Sequence, residues 1–205
     1  MARTIAKDHD QKRTHILKTA ARVFANAGFA RASMSQIATA CGISKANIYH
    51  YYDSKDALLF DILDTYLSEL RDRLCGLDMS AAAPEDRVVY FVREALLAYE
   101  GMDAEHKIQS EGLPLLSSEQ QEVLKAYQRE MVRRLSDTLR EIAPAAFEGD
   151  GSRLRSATMS VFGMINWFYM WNPGADRAAR EDYARLVASM SVNGVRGLDT
   201  QSDSL

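Results

Sequence analysis

A chain of 205 residues with 47% hydrophobic and 26% charged residues is long enough for a small N-terminal unit and a second hydrophobic core. No run approaches the ~18 apolar residues of a membrane span, and the opening Met-Ala-Arg-Thr-Ile-Ala-Lys-Asp-His-Asp lacks the apolar stretch of a signal peptide. A cytoplasmic protein with no membrane partner is expected. The formal net charge of −3 hides a strong asymmetry: residues 1–55 hold nine Lys/Arg against three acids, a balance of +6, and the remainder holds 16 against 25, a balance of −9. A basic head on an acidic body suits a polyanion bound by the head alone.

Taken in order, residues 10–28 read as a first long helix, with Ile16, Leu17, Ala20, Ala21, Phe24 and Ala25 at helical spacing and Gly28 as its stop. Arg3, Lys7, Lys12 and Arg13 crowd its entrance, where they would meet backbone phosphates. After the connection Phe29-Ala30-Arg31-Ala32, a second helix is expected, capped by Ser35, burying Ile37 and Ala38 and ending at Cys41. Gly42 supplies the left-handed residue that closes a helix, Ile43 plugs the angle, and Ser44 caps a third helix from Lys45 to about Tyr52.

This is the pattern of a helix-turn-helix, whose second helix enters the DNA major groove. An α–α corner in a helical core shares the skeleton. However, the outward residues Lys45, Ala46, Asn47, Tyr49 and His50 are small, basic or hydrogen-bonding, where a face kept for solubility would carry Glu and Lys pairs. Lys45, Asn47 and His50 are expected toward base edges, with Ala46 close enough to meet a thymine methyl. Tyr49 and Tyr51 would reach phosphates, as would Ser33, Ser35, Gln36, Ser44 and Lys55 at helix starts. Ile48 and Tyr52 should pack inward. Double-stranded operator DNA is the implied partner.

A fourth helix, capped by Asp53 or Ser54, runs to about Leu74 on Leu58, Leu59, Ile62, Leu63, Tyr66, Leu67 and Leu70. Residues 76–83 read as a joint, and Pro84 suits the first turn of the next helix, 85–100. Further helices are expected at 103–111, from Ser117 to about Ile142, at 152–172, and over about Ala175–Val195. The Ser-rich tail 200–205 should be disordered. With no strand pattern, the chain is predicted all-α, with about nine helices: a helix-turn-helix domain at 1–55, then a helical domain at 56–199 entered through the long fourth helix.

Leu17-x-x-Ala20-Ala21-x-x-Phe24-x-x-x-Gly28-Phe29, Met34-x-x-Ile37-Ala38 and Gly42-Ile43-Ser44-Lys45-x-x-Ile48-Tyr49-x-Tyr51-Tyr52-x-Ser54-Lys55-x-x-Leu58-Leu59 resemble the TetR family of bacterial transcriptional regulators. Tyr52 stands where that family more often has Phe. The resemblance implies a homodimeric repressor, cytoplasmic and nucleoid-associated, with a small-molecule effector in the C-terminal bundle and no cofactor. His106-Lys107, Glu111-x-Leu113-x-x-Leu116, Gln128-Arg129-x-x-Val132 and Gly163-Met164-Ile165-Asn166-Trp167-x-Tyr169-x-Trp171 are similar to a subgroup responding to acyl-coenzyme A thioesters. The opening residues and the helix-turn-helix are most similar to regulators of phenylacetate breakdown. On that resemblance, the acyl or aryl group would sit near Trp167, and Lys107, Arg129, Arg133 or Arg155 would meet the coenzyme's phosphates.

Residues 157–172 are nearly all apolar or aromatic, so this helix is either deeply buried or shared with a neighbour. With the last helix it would form a two-helix face, doubled in a dimer, carrying Phe168, Tyr169, Trp171, Tyr183, Leu186, Val187 and Met190. Effector-lining candidates are Phe91, Tyr99, Met102, Tyr127, Met131, Phe162, Asn166, Trp167 and Met170, with Ile108 and Leu113 behind them. Ordinary core packing competes with the ligand role at each. Asn166 and Trp167 stand out because a buried amide or indole N–H needs a partner. Cys41 and Cys75 lack metal or disulfide spacing, and the four histidines (9, 15, 50 and 106) are scattered, so neither a metal site nor a catalytic residue is expected. Two other readings stay open: a regulator of drug efflux with a promiscuous Met-lined pocket, and a helical adaptor that does not read DNA.

Overall fold

A computed structural model describes residues 2–201, and side-chain surroundings for 9–198. Among the described residues the chain is all-α. The helices are α1 (Ala2–Ala27), α2 (Met34–Ala40), α3 (Lys45–Tyr51), α4 (Lys55–Cys75), α5 (Pro84–Ala98), α6 (Asp103–Gly112), α7 (Ser118–Ile142), α8 (Gly151–Asn166), the single-turn α9 (Phe168–Trp171) and α10 (Arg177–Gln201). Short 3₁₀ turns follow α6 at Leu113–Leu115 and α7 at Ala145–Phe147.

The expected helices are present, with three differences. Helix α1 begins well before residue 10, so the basic entrance is itself helical; the side chains of Arg3 and Lys7 lie outside those described. The apolar stretch 152–172 breaks at Trp167, whose N–H closes α8 by bonding back to Gly163 O, and α9 forms a separate turn ahead of Pro173 and Gly174. Helix α10 runs on to Gln201, past the expected end near Val195; of the expected disordered tail, residues 202–205 lie outside those described.

Packing divides the chain into two compact units. The first comprises Met1–Ser68 and Met102–Lys125; the second, Glu69–Gly101 and Ala126–Leu205. Helix α4 therefore contributes residues to both, and α6 belongs with the head.

The core of the first unit follows from apolar spacing. Ile16, Leu17, Ala20, Ala21 and Phe24 of α1 are buried, as are Ile37 and Ala38 of α2 and Leu58, Leu59, Ile62, Leu63 and Leu67 of α4. Helix α6 packs along α1, where Lys107 Nζ donates to Ala25 O (2.8 Å) near the end of α1, a carbonyl the helix leaves open. Gly112 lets α6 approach α4 closely, since a Cβ there would lie 3.1 Å from Leu59 Cδ1. Tyr66 OH and His106 Nδ1 share a hydrogen bond (2.9 Å).

In the second unit α10 packs on α5 and α8. Its inward stripe is Ala184, Val187, Ala188, Ser191, Val192 and Val195. Arg180 is buried, with Nε donating to Ala175 O (3.0 Å) and Nη1 to Leu96 O (3.2 Å), its guanidinium 5.7 Å from the Phe168 ring.

Candidate functional site

The turn between α2 and α3 is set by backbone bonding. Cys41 ends α2, Gly42 has φ +68°, Gly42 N donates to Thr39 O (3.0 Å) and Ile43 N to Ala38 O (3.0 Å). That bond pair closes a helix through a left-handed residue, which Gly42 adopts without a Cβ penalty. Ser44 Oγ then accepts from Asn47 N (3.1 Å) and starts α3.

Helix α3 buries one residue, Ile48, which is wholly inaccessible. Every other side chain from Lys45 to His50 is exposed, and Lys45 Nζ lies 5.9 Å from the Tyr49 ring. The helix is thus a seven-residue rod pinned by one aliphatic plug, with its small, basic and amide side chains turned outward. Tyr51 is half-buried, stacked on His9 of α1 (5.0 Å) and met edge-on by His50 (5.9 Å).

Three expectations about the head change. Ser33, not Ser35, caps α2: Ser33 is extended, its Oγ accepts from Gln36 N (3.2 Å), and Gln36 Oε1 accepts from Ser33 N (2.9 Å). This reciprocal pair needs the cap residue three positions before the amide, which Ser33-x-x-Gln36 satisfies. Ser35 is already helical, and its carbonyl accepts from Thr39 Oγ1 (3.0 Å). Second, Lys55 does not turn its ammonium outward for phosphates. Its Nζ donates to the carbonyls of Phe29 (2.8 Å), Ala32 (2.8 Å) and Ala30 (3.4 Å), 4.7 Å from the Phe29 ring, and fastens the connection after α1. Third, Arg13 pairs with Asp61 of α4. Burial works against its charge, but Asp61 outweighs this and raises the guanidinium above its ordinary value.

In the second unit the structure joins some effector candidates and separates others. Tyr99 OH donates to Asn166 Oδ1 (2.8 Å), giving that amide the partner its apolar surroundings demand, and burial pushes the Tyr99 phenol above its ordinary value. Phe91 and Phe162 meet edge to face at 5.8 Å, and Met131 is buried. Tyr127 is half-buried beneath the Arg71 guanidinium, 4.9 Å from its ring. Met102 falls in the first unit, just ahead of α6, as do Ile108 and Leu113. Trp167 and Met170 are 61% and 52% exposed, so neither joins the buried group. Of the basic residues suggested for phosphate binding, Lys107 is committed to Ala25 O, and Arg129, Arg133 and Arg155 are exposed.

The expected dimer face also divides. Phe168 and Val187 are core, at 1% and 0% exposure, because α9 turns Phe168 inward onto Tyr183 (4.6 Å, stacked) and Val187 lies on the buried stripe of α10. Tyr183 donates to Met164 O (3.1 Å), and Tyr169 is half-buried. Trp171, Leu186 and Met190 are exposed, and so are Met159, Trp167 and Met170. Ser189, Asn193, Gly194 and Gly197 of α10 are exposed as well, short enough to let a facing helix approach.

Among the described residues no helix is long and apolar enough to cross a membrane, and no group of three His, Cys, Asp or Glu side chains is placed to hold a metal ion. Residues 16–62 match the model of the bacterial regulatory proteins of the tetR family, and residues 81–195 match that of the tetracyclin repressor-like C-terminal domain. The chain is 31% identical to a TetR-family transcriptional regulator from Bordetella parapertussis 12822, with a TM-score of 0.80 over 87% of this chain and 93% of that one. It is 26% identical to AibR, solved with isovaleryl coenzyme A and operator DNA, at a TM-score of 0.71 over 87% of this chain and 97% of that one. The repressor NicS of Pseudomonas putida is 26% identical over 93% of this chain and 95% of its own length. Four other curated regulators are 33% identical, but the chain spans only 27% to 45% of their lengths.

Proposed function

The chain belongs to the TetR family of bacterial regulatory proteins, and on that premise we propose that it is a homodimeric transcriptional repressor, released from a palindromic operator by an acyl- or aryl-coenzyme A thioester such as phenylacetyl-coenzyme A. The observation that carries the DNA reading is α3: one buried plug, Ile48, with Lys45, Ala46, Asn47, Tyr49 and His50 all exposed on a basic head. Lys45 donates to guanine acceptors, Asn47 pairs with an adenine edge, and Ala46 lets the helix lie close to the bases. Two such helices must reach successive major grooves about 34–36 Å apart, so the reading requires a dimer. The exposed Met159, Trp167, Met170, Trp171, Leu186 and Met190 of α8–α10 supply its apolar face.

The thioester rests on likeness to AibR, whose structure holds isovaleryl coenzyme A, together with the motifs of the C-terminal half. Tyr99, Asn166, Phe91 and Phe162 are the residues proposed to meet the acyl or aryl group. An effector shifts an equilibrium only through its differential affinity for the two states, and operator must weaken effector by the same factor that effector weakens operator. The test is anisotropy of labelled DNA from immediately upstream of the protein's own gene, titrated with protein, then with phenylacetyl-coenzyme A, longer acyl thioesters and the free acids. Release by a thioester but not by its acid supports the proposal. Tight binding that no thioester disturbs removes the thioester and favours a regulator of hydrophobic drugs. Absence of specific binding removes the DNA reading.

A further inference from the structure

Helix α3 has a second attachment besides Ile48, at its far end. Tyr52 follows the helix in extended conformation (φ −142°, ψ 122°), its N–H bonded to Ile48 O and its ring buried. The hydroxyl donates to Asp61 Oδ2 (2.5 Å) on α4. Arg13 of α1 donates to the same oxygen through Nε (3.1 Å) and to Asp61 Oδ1 through Nη2, which also reaches Thr65 Oγ1 (3.3 Å), one turn further along α4. One carboxylate therefore holds the trailing end of α3, the middle of α1 and the first half of α4. It is only 22% exposed, in a cluster where each member satisfies another.

A short helix with one buried aliphatic residue can roll about that contact, and rolling moves base-reading side chains sideways in the groove. The Tyr52–Asp61 bond resists the roll at the end opposite the Ser44 cap. A Phe at position 52 would fill the same buried space but has no hydroxyl to reach Asp61. The same pairing keeps Arg13 directed into the unit, although its place on the basic entrance of α1 suits a phosphate contact.

We propose that Asp61 is the positioning residue of the DNA-reading helix, fixing α3 through Tyr52 and holding Arg13 away from the phosphate backbone. The inference rests on the DNA reading above. Asp61 touches no base; its action is on sequence discrimination.

Tyr52→Phe and Asp61→Ala are each compared with wild type for binding to upstream DNA and to scrambled DNA, over a range of salt, after circular dichroism has verified helix content. Tyr52→Phe should lose about three- to tenfold in operator affinity, the effect of one hydrogen bond, with scrambled-DNA affinity unchanged. Asp61→Ala should lower the specific-to-scrambled ratio further and steepen the salt dependence by about 0.9 per decade of salt, as Arg13 gains a phosphate. In the double variant Arg13→Met with Asp61→Ala the salt slope should return to the wild-type value while the ratio stays low. A merely structural loss would weaken both DNAs together and leave the slope alone. A specific-to-scrambled ratio unchanged in Tyr52→Phe, or a slope unchanged in Asp61→Ala, overturns the proposal. Failure of wild type itself to prefer operator would instead overturn the DNA reading.

Discussion

If Ile48 is the plug that holds α3, shortening it should cost the head far more than one residue of a seven-residue helix suggests. Ile48→Ala removes three carbons from a site with no solvent access. At ~0.8 kcal/mol per buried methylene the transfer loss is about 2.4 kcal/mol. A cavity contribution brings it to about 3 kcal/mol, within the range of about 2–5 kcal/mol for such truncations. Ile48→Val, losing one methyl, should cost about 1 kcal/mol. Against a total of roughly 5–15 kcal/mol for a domain, the Ala variant forfeits a large share. Urea unfolding is the assay, read by far-ultraviolet circular dichroism because both tryptophans, Trp167 and Trp171, lie in the second unit and would not report the head. With a slope of about 2 kcal/mol per molar, the midpoint of the transition involving the head should fall by about 1.5 M with the slope unchanged. A fall equivalent to less than about 1 kcal/mol for Ile48→Ala would refute the account of Ile48 as the main plug, since the Tyr52–Asp61 attachment would then hold α3 largely without it.

Leu186→Glu with Met190→Glu puts two charges on the exposed α10 face, and analytical ultracentrifugation should show monomers where wild type gives dimers, with helix content retained. Glu105 of α6 is buried, and burial raises its pKa above the ordinary 4.5 despite the opposing pull of Lys18 and Arg22. Its folded form holds a proton more tightly than its unfolded form, so its contribution to stability is full below 4.5 and is lost as pH rises through the raised pKa. Glu105→Gln should therefore flatten that fall in urea midpoint above the ordinary carboxylate value, and parallel pH profiles for the two proteins would contradict it. Burial, assisted by Glu130, pushes the Cys75 thiol up to about 11, and burial also raises Cys41. The folded protein should react slowly with iodoacetamide at neutral pH and rapidly once unfolded; fast labelling of the native chain would show a thiol environment unlike this one.

Legibility from sequence followed the range of the forces involved. Helix spacing and the turn at Gly42 are local, so Ser44, Gly42 and Ile48 could be placed by counting along the chain. The cap of α2 is local as well: Ser35 sits closer to the apolar run, but only Ser33 has an amide three positions on, at Gln36, to complete the capping pair. Lys55 and Arg13 look like phosphate ligands in the sequence because each is a cation near a helix start. Their partners, the carbonyls near Phe29 and the Asp61 carboxylate, are 23–26 and 48 residues away in sequence. The broken helix at Trp167 was hidden for the same reason. An unbroken apolar run carries no sign of direction, so nothing in it says that Phe168 and Val187 lie in the core while Met159 and Met170 are exposed.

The most direct test of the central claim is a hydroxyl-radical footprint of the intact protein on DNA from upstream of its own gene, alongside the variant Lys45→Ala with Asn47→Ala. The account predicts two protected half-sites related by two-fold symmetry, one helical turn or a multiple of it apart, and their loss in the variant at equal salt. Absence of protection in wild type, or a footprint that survives in the variant, would contradict the assignment of α3 as the helix that reads DNA.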